Sequence, residues 1–501
     1  MSIENLFYSF LTVFQFNNLL LLSIGTFVGI IFGALPGFTA GMGVAVLIPL
    51  TFGMDPVSGL LLLAGVYNGA IYGGSITAIL LHTPGTPAAA ATAIDGYEMT
   101  KKGKAAEALR IAVTASVFGG IFSAILLLLI APPLANIALK FGPPEYFLLA
   151  VFGLTIIASL STGSFLKSII SGVFGLFIGA VGLDPILSYP RFTFGSPYLL
   201  DGVSYVPALI GLFALSQVFI MVEKGDVFIE KKEKITHIIK GRLFCTLPEI
   251  KPLLKTFFRS SVIGTFIGML PGAGASIASF LGYSEAKRAS KHPEKFGTGI
   301  GEGVAACEAA NNAVTGGSLI PLLTLGIPGN SVTAILLGGL MIHGLRPGFE
   351  LFTEFSHIIY PFIIGLLFGN IIMFLMGTFF AQFFAKITLL SNSLLVTGIC
   401  IFAIMGAYAI NSSIFDIWIL LIFGALGYVF RKAGFSAIAV VLGIILGPIA
   451  ETGIKQSLML GRGHVITYFL TRPICIILII LTALSLIAQY IKERKKEKSE
   501  G

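Results

Sequence analysis

Long uncharged apolar runs constrain this chain more than any other feature. Residues 111–130 carry no charged side chain, and about 20 such residues are what an α-helix needs to cross a hydrocarbon core of roughly 30 Å. Similar runs recur along the whole sequence, and only 11% of the residues are charged, against about 25% in a soluble domain. A soluble fold could not bury so much apolar surface. The sequence therefore predicts a membrane protein.

The apolar runs are continuous, which predicts helices. A membrane β-barrel would show segments of about 10 residues that alternate in polarity, whereas these runs are rich in Leu, Ile, Phe and Gly throughout. We therefore expect an all-α polytopic membrane protein. The net charge of +8 does not indicate nucleic-acid binding, because most Lys and Arg fall in four polar segments between or after the apolar runs. The four cysteines form no CxxC pair, which predicts packing roles rather than a metal site.

Short motifs recur in the same order in the two halves of the chain. GTFVG at 25–29 precedes LPG at 35–37, and GTFIG at 264–268 precedes LPG at 270–272. Two more matches follow, namely GGS at 73–75 and 316–318 and Pro-Gly at 84–85 and 328–329. Aligning the first two motifs needs a gap of four residues, so the argument rests on the shared order rather than on any single match. We interpret the halves as an internal repeat.

The distribution of basic residues indicates that the two halves are inverted. Short cytoplasmic loops collect Lys and Arg, so the basic segments 223–259 and 491–501 are expected in the cytoplasm. Between LPG and GGS the second half has a basic loop at 287–295, whereas the first half has no Lys or Arg there. After the second Pro-Gly the bias is reversed, with the basic segment at 101–110 in the first half. An inverted-topology repeat predicts this exchange.

The helix count and the domain boundaries follow from these runs. Residues 260–284 are flanked by basic groups and split by LPG into arms of about 18 Å, too short to span. We therefore expect a re-entrant hairpin there, a partner hairpin at 19–52, and about 11 transmembrane helices. The predicted divisions are 1–16 as an interfacial or membrane segment, 17–224 as repeat 1, 225–252 as a cytoplasmic connecting loop, 253–464 as repeat 2, 465–490 as a final transmembrane helix and 491–501 as a basic cytoplasmic tail.

The hairpin tips and the second Pro-Gly pairs are candidates for binding an anion. Pro and Gly break a helix, and non-helical backbone at membrane depth survives only where it is buried or lines a cavity. Helix-end N–H groups with their positive dipole would bind a carboxylate without a basic side chain. The alternative is that these residues only kink and pack helices. The candidate substrate-binding residues are Pro36, Gly37, Thr39, Pro84, Gly85, Thr86, Pro271, Gly272, Ser276, Pro328, Gly329, Asn330 and Ser331.

A second set of polar residues is a candidate for cation coupling. Buried acids and amides in a membrane helix are costly, which makes them functional candidates. Glu308 lies three and four residues before two asparagines, so these side chains share a helix face and offer oxygen ligands for Na⁺ or a proton site. The alternative is an interhelical hydrogen-bond cluster. The candidate residues are Asn68, Ser75, Glu308, Asn311, Asn312 and Ser318, with Na⁺ as the one metal considered.

Other polar residues receive structural interpretations. Asp184, Arg191 and Asp201 lie in a segment assigned outside, where we expect a solvated surface. His82 is expected to be a hydrogen-bonded packing residue. The glycine cluster GTGIGEG at 297–303 follows no predicted strand, so it does not indicate a nucleotide site, and no GxxxxGK(S/T) motif is present.

Long motifs along most of the chain resemble the large membrane subunit of the tripartite tricarboxylate transporters. These motifs are LPGFTAGMGVAVLIPLTFGMDP, YNGAIYGGSITAILLHTPGTPAAAATAIDGY, FGPPEYF, RFTFG, LPGAGA, EGVAACEAANNA and LGIPGN. The resemblance implies uptake of a small organic anion, such as citrate or another tri- or dicarboxylate, across a prokaryotic cytoplasmic membrane. It also implies a cation gradient of Na⁺ or H⁺ as the driving force, a small membrane subunit and an extracytoplasmic solute-binding protein as partners. His82 stands where the resemblance leads us to expect Asn.

Two other classes of protein remain as alternatives. The same helix ends could line an anion channel, and the chain could also work as a carrier without partner subunits. A membrane enzyme is disfavoured, because the sequence has no HExxH or GxSxG motif. No cofactor is expected beyond the coupling ion, and no nucleic acid is expected as a partner. Trans-stimulated exchange would distinguish a carrier from a channel.

Overall fold

The computed structural model describes residues 3–35, 37–160, 165–224, 242, 244–272, 274–387, 392–462 and 464–500. Pro36 and most of the connecting loop predicted at 225–252 lie outside the described residues. The first part of the chain contains α1 Ile3–Val13, α2 Phe16–Ala34, α3 Ala40–Thr51, α4 Pro56–Leu81, α5 Ala89–Lys101, α6 Ala105–Ala138, α7 Pro143–Leu160, α8 Phe165–Gly179, β1 Gly182–Leu183, β2 Pro190–Arg191, α9 Tyr205–Ile210 and α10 Ser216–Lys224, the last two joined by a π-helical turn.

The second part of the chain is also almost entirely helical. It contains α11 Leu247–Ile250, α12 Leu254–Met269, α13 Gly274–Ala289, α14 Gly301–Leu325, α15 Ser331–Ile342, α16 Phe349–Thr353, α17 Ser356–Phe379, α18 Ala381–Ile387, α19 Asn392–Asn411, α20 Ile414–Ala433, α21 Ala437–Leu460, α22 Val465–Leu470 and α23 Pro473–Glu500. Among the described residues, 8 helices are long and apolar enough to cross a membrane. The all-α polytopic membrane class is therefore confirmed.

Helix breaks occur at both LPG motifs, although the arms are longer than expected. The α12 and α13 helices have 16 residues each and pack against one another across the break. In the first half α2 has 19 residues and α3 has 12. Gly37 and Gly272 have φ angles of +89° and +78°. This left-handed region favours glycine, and it lets the chain reverse direction at each tip.

Contacts divide the chain into two compact units. The first unit comprises Met1–Pro133 and Gln217–Ile410, and the second comprises Leu134–Ser216 and Asn411–Gly501. The first unit contains α2 to α5 and α12 to α15, and with them all the candidate site residues.

In the first unit the same glycine contact joins α2 to α4 and α12 to α14. A Cβ atom built on Gly33 would lie 2.1 Å from the carbonyl oxygen of Ala70, and one built on Gly268 would lie 3.0 Å from that of Val314. Small residues at every fourth position let helix backbones touch in this way. Further contacts of this kind pair Gly29 with Val66, Gly73 with Ile30, Gly264 with Ala310 and Gly317 with Thr265.

The second unit contains an ion-pair cluster that the sequence did not predict. The Arg191 guanidinium donates two hydrogen bonds to the Glu451 carboxylate, of which the bond from Nη2 to Oε2 is 3.0 Å. Lys455 forms ion pairs with both Glu451 and Asp184. The Lys455 ammonium and two backbone N–H groups hold the pKa of Asp184 well below its usual range. The expected solvated surface is therefore wrong for Asp184, which is 1% exposed, whereas Asp201 is exposed.

Candidate functional site

Glu308 is a fully buried carboxylate in the N-terminal third of α14. Its Oε1 atom accepts a hydrogen bond of 2.5 Å from the Thr92 hydroxyl of α5, and its Oε2 atom accepts one of 2.9 Å from the Ser116 hydroxyl of α6. The Asn312 amide is 3.4 Å from the same Oε2 atom. No basic side chain among the described residues forms an ion pair with it. A buried charge held only by neutral donors is unusual and suits a cation or proton site.

Neighbouring polar groups are buried without hydrogen-bond partners. Within the described chain neither amide atom of Asn311 has a partner, and the same is true of the Asn312 Oδ1, Tyr72 hydroxyl and Thr86 hydroxyl oxygens. Buried polar atoms normally find partners, and each one left unpaired costs about 1–3 kcal/mol. The region around Glu308 therefore has unused capacity to bind a small polar ligand. The sequence placed Glu308, Asn311 and Asn312 together, and the structure does the same.

The Pro-Gly tip at Pro328 and Gly329 is closed by side-chain hydrogen bonds. Asn330 donates from Nδ2 to the Tyr67 hydroxyl at 2.8 Å and to Ser318 Oγ at 3.1 Å. The Tyr67 hydroxyl and Ser318 Oγ also lie 3.0 Å apart in a hydrogen bond. Asn330 additionally caps α15 by accepting from the Thr333 N–H at 2.9 Å. This cluster joins α4 of the first half to α14 and α15 of the second.

The second-half tips are bonded to one another. The Gly272 N–H donates to the Gly329 carbonyl at 2.7 Å, so the LPG break and the second Pro-Gly meet directly. Gly272, Pro271 and Ser276 are half-buried, whereas Pro328 and Gly329 are buried. The LPG break is therefore the more accessible of the two, although its Gly272 N–H is already bonded.

In the first half, Gly85 is pressed against the end of α2. A Cβ atom on Gly85 would lie 2.0 Å from the Gly33 carbonyl oxygen. Gly37 is exposed and lies near Gln217, since a Cβ atom there would be 3.5 Å from Gln217 Nε2. Thr39 is half-buried and caps α3 by accepting from a backbone N–H at 3.2 Å.

Each LPG helix packs against a Pro-Gly helix of the other half. The α3 helix packs on α15, where a Cβ atom on Gly41 would lie 2.9 Å from Ile335 Cδ1. The α5 helix packs on α13, where the Tyr283 hydroxyl donates to Asp95 at 2.9 Å. Two mixed pairs of helices result, each with one helix from either half.

The remaining cation candidates have structural partners. Ser75 donates to the Tyr72 carbonyl of its own helix at 2.7 Å. Asn68 donates to the Leu366 carbonyl of α17 at 2.9 Å, while its Oδ1 has no partner within the described chain. No group of three His, Cys, Asp or Glu residues in this part of the chain could hold a metal ion. The Ser75 hydroxyl therefore bonds within α4, and Asn68 joins α4 to α17.

Asp95 explains the glycine cluster at 297–303. Its Oδ1 atom accepts backbone N–H bonds from Gly297, Gly299 and Ile300 at 2.9, 2.7 and 3.1 Å. Asp95 is itself fully buried on α5. The glycine loop therefore binds a carboxylate of its own chain, with Asp95 in the place that an anionic ligand would take.

Comparisons with known proteins agree with this arrangement. Residues 19–442 match the family model described as tripartite tricarboxylate transporter TctA family. The chain belongs to the TctA family. This family is a component of tripartite transporters rather than a family of enzymes, so the chain is a multi-pass membrane protein of a transport system.

Two relatives of this TctA family member come from Agrobacterium vitis. An uncharacterized 52.8 kDa protein in the TAR-I ttuC' 3' region is 37% identical over 472 residues, which cover 94% of this chain and 93% of the relative. An uncharacterized protein in the TAR-II ttuC' 3' region is 37% identical over 211 residues, covering 42% of this chain and 87% of the relative. No solved structure matches the chain significantly.

Proposed function

We propose that this TctA family member carries a small organic anion, a tri- or dicarboxylate such as citrate, across a prokaryotic cytoplasmic membrane. The observation that carries the proposal is the mixed pairing of the helices that follow the breaks, in which α3 packs on α15 and α5 on α13. Backbone N–H groups at such breaks suit a carboxylate. The exposed Gly37 and the half-buried Ser276 are the proposed contacts, since the Gly272 N–H is already bonded to the Gly329 carbonyl. A small membrane subunit and an extracytoplasmic binding protein are the proposed partners.

We further propose that the two halves form an inverted repeat with re-entrant hairpins at the LPG breaks. The glycine contacts support the repeat, because Gly33 of α2 and Gly268 of α12 each contact a carbonyl oxygen of the helix that follows the next one, Ala70 of α4 and Val314 of α14. Cysteines introduced at the exposed residues Gly53 and Lys291 test the inversion. Membrane-impermeant maleimide should label them from opposite faces, and labelling from the same face would refute it.

Coupling to Na⁺ or H⁺ is proposed to run through Glu308. The group is buried, lies beside unpaired polar atoms and has no basic partner among the described residues. Binding or releasing one positive charge there would change the energy of the surrounding helices strongly.

Uptake into proteoliposomes tests the proposal. We expect citrate or a related carboxylate inside the vesicles to stimulate uptake of labelled substrate, and conductance without exchange would instead indicate a channel. Glu308→Gln removes the charge while retaining the shape, and it should abolish the dependence on the cation gradient while substrate exchange continues. An unchanged Na⁺ and pH dependence in this variant would exclude Glu308 from coupling. Ser276→Ala should raise KM for the substrate.

A further inference from the structure

The Pro-Gly pairs at 84–85 and 328–329 differ in how completely the polar side chains around them are hydrogen-bonded. At the second-half tip, Asn330, Tyr67 and Ser318 satisfy one another within 3.1 Å. Among the residues that the structure describes, the first-half tip has no such cluster. Thr86 follows Pro84-Gly85 as Asn330 follows Pro328-Gly329, yet its hydroxyl oxygen has no partner in the described chain.

Gly74 occupies the place in the first half that Ser318 occupies in the second. Each residue lies eleven positions before the tip glycine, and each packs directly on it. A Cβ atom on Gly85 would lie 3.1 Å from Gly74 Cα, and one on Gly329 would lie 2.7 Å from Ser318 Cβ. The Thr86 hydroxyl is directed at Gly74, because a Cβ atom there would be 2.6 Å from Thr86 Oγ1.

The proposed inverted repeat puts Asn311 of α14 opposite Gly74. Asn311 and Ser318 are seven residues apart, or about two helical turns, and so share one face. Ser318 on that face meets Tyr67 of α4, and Gly74 lies two turns beyond Tyr67 on the same face of α4. In the repeat, Asn311 against Gly74 thus corresponds to Tyr67 against Ser318. Asn311 and Gly74 together have smaller side chains than Tyr67 and Ser318.

By this equivalence the Asn311 amide and the Thr86 hydroxyl both lie at Gly74. Asn311 is fully buried and Thr86 is 5% exposed, and neither side chain has a hydrogen-bond partner among the described residues. Glu308, one turn before Asn311, is a buried acid and disfavours an anion nearby. Amide and hydroxyl oxygens are ligands that Na⁺ accepts, as do other hard cations.

We propose that Na⁺ binds between Thr86 and Asn311, whereas the cluster of Tyr67, Ser318 and Asn330 is a structural closure. The proposal rests on the proposed inverted repeat for the position of Asn311, and on the proposed transport function only for the role of the ion as the coupling cation. Binding itself can be measured without transport.

Thermal unfolding of the purified, substrate-free protein in NaCl against choline chloride at constant ionic strength tests the site. The full-length chain should show a saturable increase in Tm that is specific to Na⁺. Thr86→Val and Asn311→Leu keep the side-chain volume and remove an oxygen ligand, so each should lower the affinity for Na⁺ at least tenfold. Because these groups are unpaired, neither change should lower Tm in choline chloride.

Two control variants separate binding from packing. Thr86→Ser retains the hydroxyl and should retain the Na⁺ response. Tyr67→Phe breaks the closed cluster, so it should lower Tm in choline chloride but leave the Na⁺ increment intact. A wild-type response equal in both salts would overturn the proposal, even if proteoliposomes transport the substrate with H⁺. Wild-type Na⁺ affinity in Thr86→Val would overturn it as well.

Discussion

Replacing Asp95 by Ala should strongly increase the opening of the region where α5 meets the start of α14. The substitution removes all four hydrogen bonds to the buried carboxylate, one from Tyr283 and three from the backbone of residues 297–300. Bonds to a charged group contribute about 1.5–3 kcal/mol each. Because the glycine loop is partly exposed, water can replace some of these hydrogen bonds in the variant. We therefore take a loss of about 1 kcal/mol per bond.

The expected loss is therefore about 4 kcal/mol for Asp95→Ala. Asp95→Asn retains the oxygen that accepts from the three N–H groups but loses the charge. The expected loss for this variant is about 1–2 kcal/mol. Since about 1.4 kcal/mol corresponds to a tenfold change in an equilibrium constant, local opening should rise about a thousandfold in the first variant and about tenfold in the second.

Maleimide labelling of Cys307 measures this opening directly. Cys307 is fully buried on α14, and the other three cysteines would be replaced by Ser. When reclosing is faster than labelling, the labelling rate follows the open population. Glu98→Ala on the same helix removes a surface ion pair with Lys101 and should change the rate less than fivefold. Wild-type labelling of Cys307 in Asp95→Ala would refute the reasoning.

Two further predictions concern folding. Gly33→Ala should abolish accumulation of folded protein in the membrane, because its Cβ atom would lie 2.1 Å from a backbone oxygen, whereas Gly398→Ala, which meets nothing within 4 Å, should be tolerated in the same expression assay. Asp184→Asn should flatten the acid side of a stability profile: a lowered folded pKa means that ionised Asp184 stabilises the protein above about pH 4, and this contribution is lost as pH falls further. An unchanged loss of Tm below pH 4 in that variant would contradict the second prediction.

The sequence predicted the helical membrane class and the two LPG breaks, because both depend on local composition. The register of the repeat was harder to obtain. Matching GTFVG at 25–29 with GTFIG at 264–268 needed a four-residue gap, yet the packing pairs Gly33 with the position of Gly268 and needs none. Glycines recur every fourth residue along α2, so a slip of one helical turn preserves the motif. Only the partner helix distinguishes the two registers.

The partners of Glu308 could not be identified from the sequence. Hydroxyl residues in membrane helices commonly bond to a carbonyl of their own helix, as Ser75 does. Ser116 and Thr92 look the same in sequence, but their hydroxyls reach Glu308 on another helix. The direction of each hydroxyl depends on which helix faces it, and that is tertiary information. The hydrogen bonds of Tyr67 could not be predicted for the same reason, since an aromatic residue in an apolar run also predicts simple packing.

His82 shows how local backbone geometry explains a departure from the family pattern. It ends α4 with φ at +55°, and Gly326 ends α14 with φ at +72°. Each lies two residues before its Pro-Gly pair. Asn and His enter the left-handed region more readily than most residues, and glycine does so freely. The Asn that the resemblance implies at this position would therefore fit the same backbone turn as the His found there. The exposed His82 ring packs on Tyr97, with ring centroids 4.6 Å apart. We therefore interpret position 82 as a residue that ends α4 in the left-handed region rather than as an imidazole ligand.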